Sequence, residues 1–527
     1  MRALRELYLS KKLVFLNRNN FETILIVSKL LFILLNFILN NTILVGQKLD
    51  NTWVIGYKGN GNGTETGTIN IGSTILSFDN KKFSSRYFET TSDCKLGFSN
   101  SSFSNESGNL LFVSDGFAIF DQNLKVIING DSINYGVVWQ DYRGALYPDA
   151  HHSIFFPMPG DDNLVIMIHR TASRAAKTGS IIYDKMNYTL IDKTQKKVIK
   201  KNITFFKNLF LSDYYGAVRH ANGRDWWIIQ MEPVSNRHYF FLLDPSGIHF
   251  HHTQEIGTKI KDDVCNGNCV FNSDGTKVAF LNIIIGIQVM DFDRCTGMYS
   301  NPVLLPIISG YPWIGTVAFS ASSRFLYYSS SKRIVQYDLF DKDFNIKGDT
   351  VAYHNGFFVN NTGSLFCHIA LAPDDKIYIS SIGSSNYIHT IDQPEVKGKG
   401  CNVLQQNIKI KKVMYSFFPQ FPNYRLGALI GSGCDTLFNQ DRPSYKFEIH
   451  PNPMTDIIKL VHKQGELFQN FNFEMYNIEG KKVSEEKLSF NQNQWNIPLK
   501  NNLSGLYIYR IVMNGMIVAK GKVTVFK

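Results

Sequence analysis

Between residues 141 and 225 the chain has several charged and histidine side chains of the types that support general acid–base chemistry. A carboxyl group or an imidazole beside a scissile bond can take or give a proton near neutral pH. The candidates are Asp141, Arg143, Asp149, His151, His152, Asp213, His220 and Asp225. The sequence does not place them relative to one another, so no catalytic residue is assigned. The chain has no G-x-S-x-G elbow, phosphate loop, H-E-x-x-H motif or dinucleotide fingerprint.

Two other stretches carry side chains that could bind a metal ion. His249 and His251, with His252 beside them, would place two imidazoles on one face of a strand. No third ligand is identifiable. Residues 341–349 have carboxylates at the spacing of a calcium loop, but isoleucine stands where such loops need glycine and no glutamate closes the loop. Strand histidines and a polar hairpin explain both stretches better, so we predict no metal and no cofactor.

The cysteines include two pairs whose positions indicate disulfides. Cys265 and Cys269 flank an Asn-Gly-Asn turn that could bring them together. Cys401 and Cys434 flank the end of the main body and could staple it. No partner can be named for Cys94, Cys295 and Cys367. A four-cysteine zinc site would need two close pairs and only one exists, which argues against zinc.

The elements that position these residues follow a repeat in the middle of the chain. An apolar residue, a small polar turn and a β-rich run recur, with turn positions at Asp115, Asp161, Asn222, Asp274, Ser322 and Asp374. A period near fifty residues, made of strands and turns, is typical of β-propeller blades. We predict an all-β chain whose β-propeller has about seven blades, with six or eight left open. The phrases also resemble the WD-repeat-like propellers of exported Bacteroidetes proteins.

The last eighty-odd residues form a second unit of short alternating segments. Residues 457–461 and 471–478 have the pattern of strands, and Asn514-Gly515 is a strong hairpin signal. Tyr507, Tyr509 and Ile511 would face one side of a strand, opposite their neighbours. This pattern predicts a small immunoglobulin-like sandwich of about seven strands.

The same segment resembles the type A C-terminal sorting domain of the type IX secretion system of Bacteroidetes. The resemblance rests on H-P-N-P at 450–453, Y-N-I-E-G-K-K-V at 476–483, L-S-G-L-Y at 503–507 and K-G-K-V at 520–523. It implies that the domain is a delivery signal, often cleaved after the outer membrane is crossed, and that the secretion machinery is a partner. The implied signal residues are Pro451, Asn452, Pro453, Gly480, Gly505, Tyr507, Lys520 and Lys522.

The beginning of the chain also favours export. A basic region precedes an apolar core at residues 30–39, which has the length of a signal-peptide core and is too short for a membrane span. A membrane anchor is the competing interpretation. The predicted divisions are a signal peptide at 1–47, the propeller at 48–440 and the sorting sandwich at 441–527. We expect a secreted or cell-surface protein with no stable transmembrane segment after cleavage.

Charge and aromatic content narrow the functional classes without choosing among them. The net charge of +11 includes lysine-rich stretches at 193–207 and 397–412, which indicate a solvated basic surface or attraction to an anionic cell surface or polysaccharide. No nucleic-acid motif is present, so nucleic acid is not a predicted partner. Six aromatic residues could stack on sugar rings or pack in an interface, although packing in a blade core or a turn is favoured for each of them: Tyr142, Tyr147, Tyr214, Tyr215, Tyr311 and Trp313. We expect a binding or adhesion protein for a polysaccharide or a protein; the alternative is a hydrolase or lyase acting on polysaccharide, lactone or peptide.

Overall fold

Antiparallel strands make up nearly all of the regular structure. The computed structural model describes residues 48–57, 71–88, 93–261, 267–307, 315–341, 347–359, 362–435, 446–453, 456–464, 471–477, 481–489, 492–499, 503–513 and 516–526. Several predictions therefore lie outside the described residues. They concern the signal peptide at 1–47, Cys265, Tyr311, Trp313, most of the candidate calcium loop, Gly480 and Asn514-Gly515.

In its described residues, the middle of the chain forms seven sheets of three or four strands, which we number as blades 1 to 7. Blade 1 consists of β1 (Thr52–Tyr57), β2 (Gly72–Asp79) and β3 (Lys82–Tyr87). Blade 2 consists of β4 (Ser101–Ser104), β5 (Leu110–Ser114) and β6 (Ile119–Phe120). Blade 3 consists of β7 (Ser153–Pro157), β8 (Leu164–Arg174), β9 (Ile181–Asp192) and β10 (Lys197–Phe210). Blade 4 consists of β11 (Gly216–Arg219), β12 (Trp226–Met231), β13 (Arg237–Asp244) and β14 (Gly247–Glu255). Blade 5 consists of β15 (Cys269–Phe271), β16 (Lys277–Asn282), β17 (Gly286–Asp293) and β18 (Met298–Leu305). Blade 6 is β19 (Thr316–Phe319), β20 (Phe325–Ser330), β21 (Arg333–Asp338) and β22 (Asp349–Tyr353).

A two-stranded hairpin, β23 (Phe358–Val359) and β24 (Thr362–Gly363), separates blade 6 from blade 7. Blade 7 is β25 (Phe366–Leu371), β26 (Ile377–Ser381), β27 (Ser384–Ile391) and β28 (Val403–Tyr415), with a 3-10 turn at Gly398–Cys401. One short helix, α1 (Val137–Tyr142), lies between blades 2 and 3.

Apolar layers between neighbouring blades close the sheets into a ring. Each layer combines buried side chains of adjacent blades, from the blade 1–blade 2 layer around to the blade 7–blade 1 layer. In the closing layer, Trp53 and Phe78 of blade 1 contact Tyr378 of blade 7, with ring centroids 6.0 and 5.3 Å apart. A four-stranded sheet cannot cover both of its faces alone, and radial packing covers them. The predicted β-propeller is confirmed, with seven blades in the described residues.

The innermost strands give the ring a direction. Ser101 and Ser153, the first residues of β4 and β7, are joined by a 2.8 Å hydrogen bond between their hydroxyl groups. We call the end of the channel where these strands begin the entry end and the opposite end the exit end. Strand β1 runs antiparallel to β4, because Ser104 N donates to the Leu49 carbonyl (2.8 Å) and Ser102 Oγ to that of Thr52 (3.0 Å).

The repeated turns form because their polar side chains replace missing backbone partners. In blade 5, the Asn272 side-chain oxygen accepts a 2.9 Å hydrogen bond from Lys277 N, and that of Asp274 accepts one from Thr276 N (2.9 Å). Gly275 has a φ of 73°, a conformation that costs glycine little. The predicted turns that join an innermost strand to the second strand of its blade are those at Asp161, Asn222, Asp274, Ser322 and Asp374. Asp115 instead lies between β5 and β6.

The last part of the chain is a two-sheet sandwich. Its sheets are β29 (Lys446–His450), β30 (Ile457–Gln464) and β33 (Gln494–Pro498), and β32 (Lys482–Leu488), β31 (Phe471–Tyr476), β34 (Gly505–Met513) and β35 (Met516–Val525). Tyr507, Tyr509 and Ile511 face the core, as predicted, whereas Ile508 is exposed. This arrangement is compatible with an immunoglobulin-like fold.

Candidate functional site

The central channel contains part of the chain itself. After β28, residues 417–425, which we call the channel segment, run from the entry end to the exit end. Gln420 Nε2 donates to the carbonyls of Tyr215 (2.6 Å) and Cys269 (3.1 Å), which lie in the inner walls of blades 4 and 5. Asn423 Nδ2 donates to the Ser273 carbonyl at 2.7 Å. The segment therefore occupies the place where an open propeller channel would be.

Aromatic rings fix the channel segment against blades 1 to 4. Trp53 of blade 1 contacts Phe418 and Phe421, with centroids 5.3 and 6.0 Å apart. Tyr424 is buried against Trp226 at 5.7 Å, and its hydroxyl donates to the Phe155 carbonyl. Two prolines in the segment cannot donate to a strand ladder, which explains why it stays extended without joining a sheet.

A covalent link holds the chain where it leaves the channel. Cys434 forms a disulfide with Cys295 in the β17–β18 turn of blade 5, with Cα atoms 5.6 Å apart. The predicted pairing of Cys401 with Cys434 is wrong. Cys401 is a free thiol in the apolar layer between blades 6 and 7, whereas the channel segment carries Cys434 across to blade 5. Cys269 is also a free, buried thiol, so the described structure does not pair it.

The entry end of the channel is lined by buried imidazoles. His151 and His368 lie with ring centroids 5.1 Å apart, and Phe417 covers both at 5.6 Å. Burial lowers the pKa of His151 to about 3, and burial also holds the pKa of His368 well below its usual range, so both rings are neutral. His151 has a φ of 55°, which is uncommon for a residue other than glycine.

A buried ion pair lies directly beside these histidines. Arg170 Nη2 donates to Asp149 Oδ1 at 2.6 Å, and both side chains have no exposed surface. Arg170 Nη1 donates to the Leu211 carbonyl (2.8 Å), which ties blade 3 to blade 4. Burial raises the pKa of Asp149 to about 6 in spite of the attraction of Arg170. His152 Nε2 is within 2.9 Å of the Ser153 hydroxyl and belongs to the same buried region.

The remaining candidates for acid–base chemistry lie elsewhere. Asp141 pairs with Arg174 at 2.7 Å on the surface, and Asp225 pairs with Arg224 at 2.6 Å. The other three, Arg143, Asp213 and His220, are respectively the C-cap of α1, a turn residue before β11 and a partly buried ring bonded to the Asn222 amide. The structure thus brings together Asp149, His151 and His152, and adds Arg170 and His368, which sequence reasoning missed.

Several predicted aromatic contacts belong to the core. Tyr147, Tyr214 and Tyr215 have no exposed surface, so they pack in the core, as the sequence favours, and are not available as ligand contacts. These rings lie close to the innermost strands, where they fill the space between neighbouring blades. Among the described residues, no three His, Cys, Asp or Glu side chains are grouped to hold a metal ion, and His251 Nδ1 instead lies 2.8 Å from His252 Nδ1.

A cavity of about 320 Å³ remains beside the channel segment. Strands β15, β19 and β25 form much of its wall, and residues 419–425 form the facing side. Small and apolar side chains such as Val270, Val317 and Ala370 dominate the wall, with His368 among the polar ones. This volume matches the smallest ligand pockets.

Asn452, in the first of the predicted sorting motifs, contacts the last strand of the sandwich. Asn452 Oδ1 accepts a 2.9 Å hydrogen bond from Thr524 N, and its Nδ2 donates to the Lys522 carbonyl at 3.2 Å. The first and last sequence motifs of this unit are therefore in direct contact. Tyr507 is buried and its hydroxyl donates to Ser504 O (3.3 Å), while Gly505 has a φ of 120°. The other described signal residues, Pro451, Pro453 and Lys520, lie in the same turn or on β35.

The ion pairs of the four-stranded sheet centre on Glu474. Its carboxylate accepts hydrogen bonds from Arg510 Nε (2.5 Å) and Lys482 Nζ (2.9 Å). Burial alone would raise the pKa of Glu474, but these cations and the Tyr476 hydroxyl lower it to about 2. The group therefore stays ionised under ordinary conditions and fixes β31 against β32 and β34.

Comparison with known proteins gives one family match and several similar solved structures. Residues 448–525 match the family described as the secretion system C-terminal sorting domain. Similar solved structures include a protein assigned as a 6-phosphogluconolactonase from Bacteroides uniformis, with 11% identity, a TM-score of 0.42 and coverage of 70% of this chain and 99% of that one. PorZ, a surface component of the type IX secretion system of Porphyromonas gingivalis, has 9% identity, a TM-score of 0.28 and coverage of 88% and 75%.

The propeller domain of Cps50 (Swd1) from Myceliophteria thermophila has 8% identity, a TM-score of 0.28 and coverage of 70% and 95%. No curated protein sequence matches the chain. The chain is a β-propeller followed by a type IX sorting domain, and it is exported to the outer-membrane surface or the medium. In the described part of the chain, no helix has the length and apolar character needed to cross a membrane.

Proposed function

We propose that this exported propeller is a binding protein whose ligand contacts lie on the outside of the blades and loops. The observation that carries the proposal is the channel segment. A polymer or protein ligand cannot enter a channel that is bonded along its length to residues 417–425. An exported propeller with a filled channel still presents a large outer surface, which suits adhesion or capture of a surface partner.

The buried cluster at the entry end favours the alternative, a hydrolase or lyase. Asp149 and His151 lie close together with shifted pKa values, which is common at catalytic sites. The same features also follow from burial alone. Asp149 is 1% exposed and His151 is 2% exposed, and Phe417 covers the latter, so turnover would require the channel segment to move.

The two functions can be separated with the exported protein and one pair of variants. His151→Gln and Phe340→Ala would be compared with the wild type for retention on polysaccharides and proteins and for turnover of polysaccharides, lactones and peptides. Phe340 is an exposed control, 62% accessible, beyond the end of β21. We expect retention without turnover, unchanged in His151→Gln. Turnover that disappears in a folded His151→Gln protein would refute the binding proposal.

We propose that the chain divides after residues 47 and 440, as the sequence predicts. We also propose that the eight signal residues act as a sorting signal, as their resemblance to the family implies. The test compares export of the full chain with that of a chain ending at Asp441. The shorter chain keeps the channel segment and Cys434, so its propeller should still fold. We expect it to stay in the periplasm while the full chain reaches the surface or medium. Equal export of both would show that the sandwich is not the signal.

A further inference from the structure

Tyr353, Phe357 and Phe358 are exposed aromatic side chains between blades 6 and 7, and Tyr387 beside them is half-buried. Tyr353 ends β22 and is 63% exposed, and Phe357 and Phe358 follow it at 39% and 66%. Phe357 packs on the half-buried Tyr387 of β27, with centroids 5.3 Å apart and planes at 79°. We call this set the aromatic surface. Exposed rings grouped in this way are uncommon on a soluble protein and mark contact sites.

Side-chain amides hold the backbone of the aromatic surface in place. Gln405 of β28 accepts a 3.0 Å hydrogen bond from Asn355 N and donates to the Tyr353 carbonyl at 2.8 Å. Gln406 Oε1 accepts a 2.9 Å hydrogen bond from Asn355 Nδ2. Phe357 N donates to Asn355 Oδ1 at 3.1 Å. The backbone that carries the rings is thus fixed before a ligand arrives, which reduces the entropy lost on binding.

Cations border the aromatic surface on both sides. The Arg333 guanidinium lies 5.3 Å from the centre of the Tyr353 ring, and Lys409 Nζ lies 5.6 Å from that of Tyr387. Neither cation has a carboxylate partner among the described residues. The sequence has no Asp or Glu at 350–373 or 396–434, so the charge of this surface is positive.

We propose that the aromatic surface, with Arg333 and Lys409, binds an acidic polysaccharide. This inference rests on the proposed binding function and names its ligand class. Sugar rings have apolar C–H faces that pack on aromatic rings, and their carboxylates or sulfates would pair with the two cations. A chain of such sugars can use the exposed rings and the two cations together. Rings on a backbone held by side-chain amides suit this ligand better than a lipid surface.

The test uses the full-length protein, two double variants and matched controls. Tyr353→Ala with Phe358→Ala removes the two most exposed rings, and Arg333→Gln with Lys409→Gln removes the charges. The controls are Phe340→Ala and Lys200→Gln, which remove an exposed ring and an exposed cation elsewhere. Binding to polygalacturonate, neutral dextran, oligothymidylate and phosphatidylglycerol vesicles is measured by biolayer interferometry, with unfolding midpoints recorded for every variant.

We expect the wild type and both controls to bind polygalacturonate and not dextran, more weakly as salt rises. Each double variant should bind about tenfold more weakly or worse with an unchanged midpoint. The inference is overturned if the wild type binds none of the probes, binds dextran equally, or prefers oligothymidylate or vesicles. It is also overturned, with the proposed function intact, if polygalacturonate binding survives both double variants. Turnover of the polysaccharide would instead overturn the proposed function.

Discussion

Removing the Cys295–Cys434 disulfide should destabilise the propeller strongly, because this bond closes a very long loop. The two cysteines are 139 residues apart, and the loop-closure relation then gives about 5 kcal/mol of stabilisation through the unfolded state. Native disulfides measured in small domains contribute about 2–5 kcal/mol. The hydrogen bonds of Gln420 and Asn423 remain in the variant, so we expect a loss in that range rather than complete unfolding.

The assay is urea unfolding of the full chain with and without reductant. Cys295→Ser with Cys434→Ser should lower the midpoint, and reductant should lower the wild type to about the same value while leaving the double variant unchanged. Cys401→Ser is the control, since this free thiol should leave the sensitivity to reductant intact. The reasoning is refuted if the double variant unfolds at the wild-type midpoint, or if peptide mapping links Cys434 to Cys401.

Three further predictions concern single polar groups. Gln420→Ala removes a donor to two wall carbonyls and should cost about 1–3 kcal/mol in urea unfolding; an unchanged midpoint would contradict the bonded channel segment. Asp149→Asn leaves Arg170 buried without its charge partner and should cost about 3–5 kcal/mol, seen as a lower melting temperature; a wild-type melting temperature would contradict it. Because the folded pKa of Glu474 is depressed from 4.5 to about 2, its contribution is complete above pH 4.5 and is lost as pH falls toward 2. The protection factors of the β31 amides, which correct for the intrinsic slowing of exchange in acid, should therefore fall on acidification in the wild type and less so in Glu474→Gln; an equal fall in both would rule this out.

The blades could be predicted because each depends on local signals. Asp274-Gly275 and Asn222-Gly223 form turns with their own side chains and with glycine at positive φ, so the chemistry is complete within a few residues. The turn at Asp115 lies one strand later in its blade than the other repeated turns, because blade 2 has its inner turn at 105–109, where no Asp-Gly pair occurs. The alternation of Tyr507 and Ile511 likewise predicted a buried face correctly.

The channel segment could not be predicted because its partners are far away in sequence. Pro419 and Pro422 indicate extended chain, but nothing local says that Gln420 will meet carbonyl groups 151 and 205 residues earlier. The same holds for Cys434, which looked closest in sequence to Cys401 and pairs with Cys295 instead. Long-range pairing depends on how the ring closes, and only the structure supplies that.

The channel segment also changes where the propeller ends. Strand β28 stops at Tyr415, yet bonds to the ring continue through the Leu429 amide, which donates to the Ala221 carbonyl at 2.8 Å, and on to Cys434. A chain cut directly after the last strand would lose the residues that fill the channel and pack on Trp53 of blade 1. A cut after Cys434 would keep all of these contacts. We therefore propose that the sorting domain can be removed after export without opening the ring, because the disulfide lies on the propeller side of the predicted boundary.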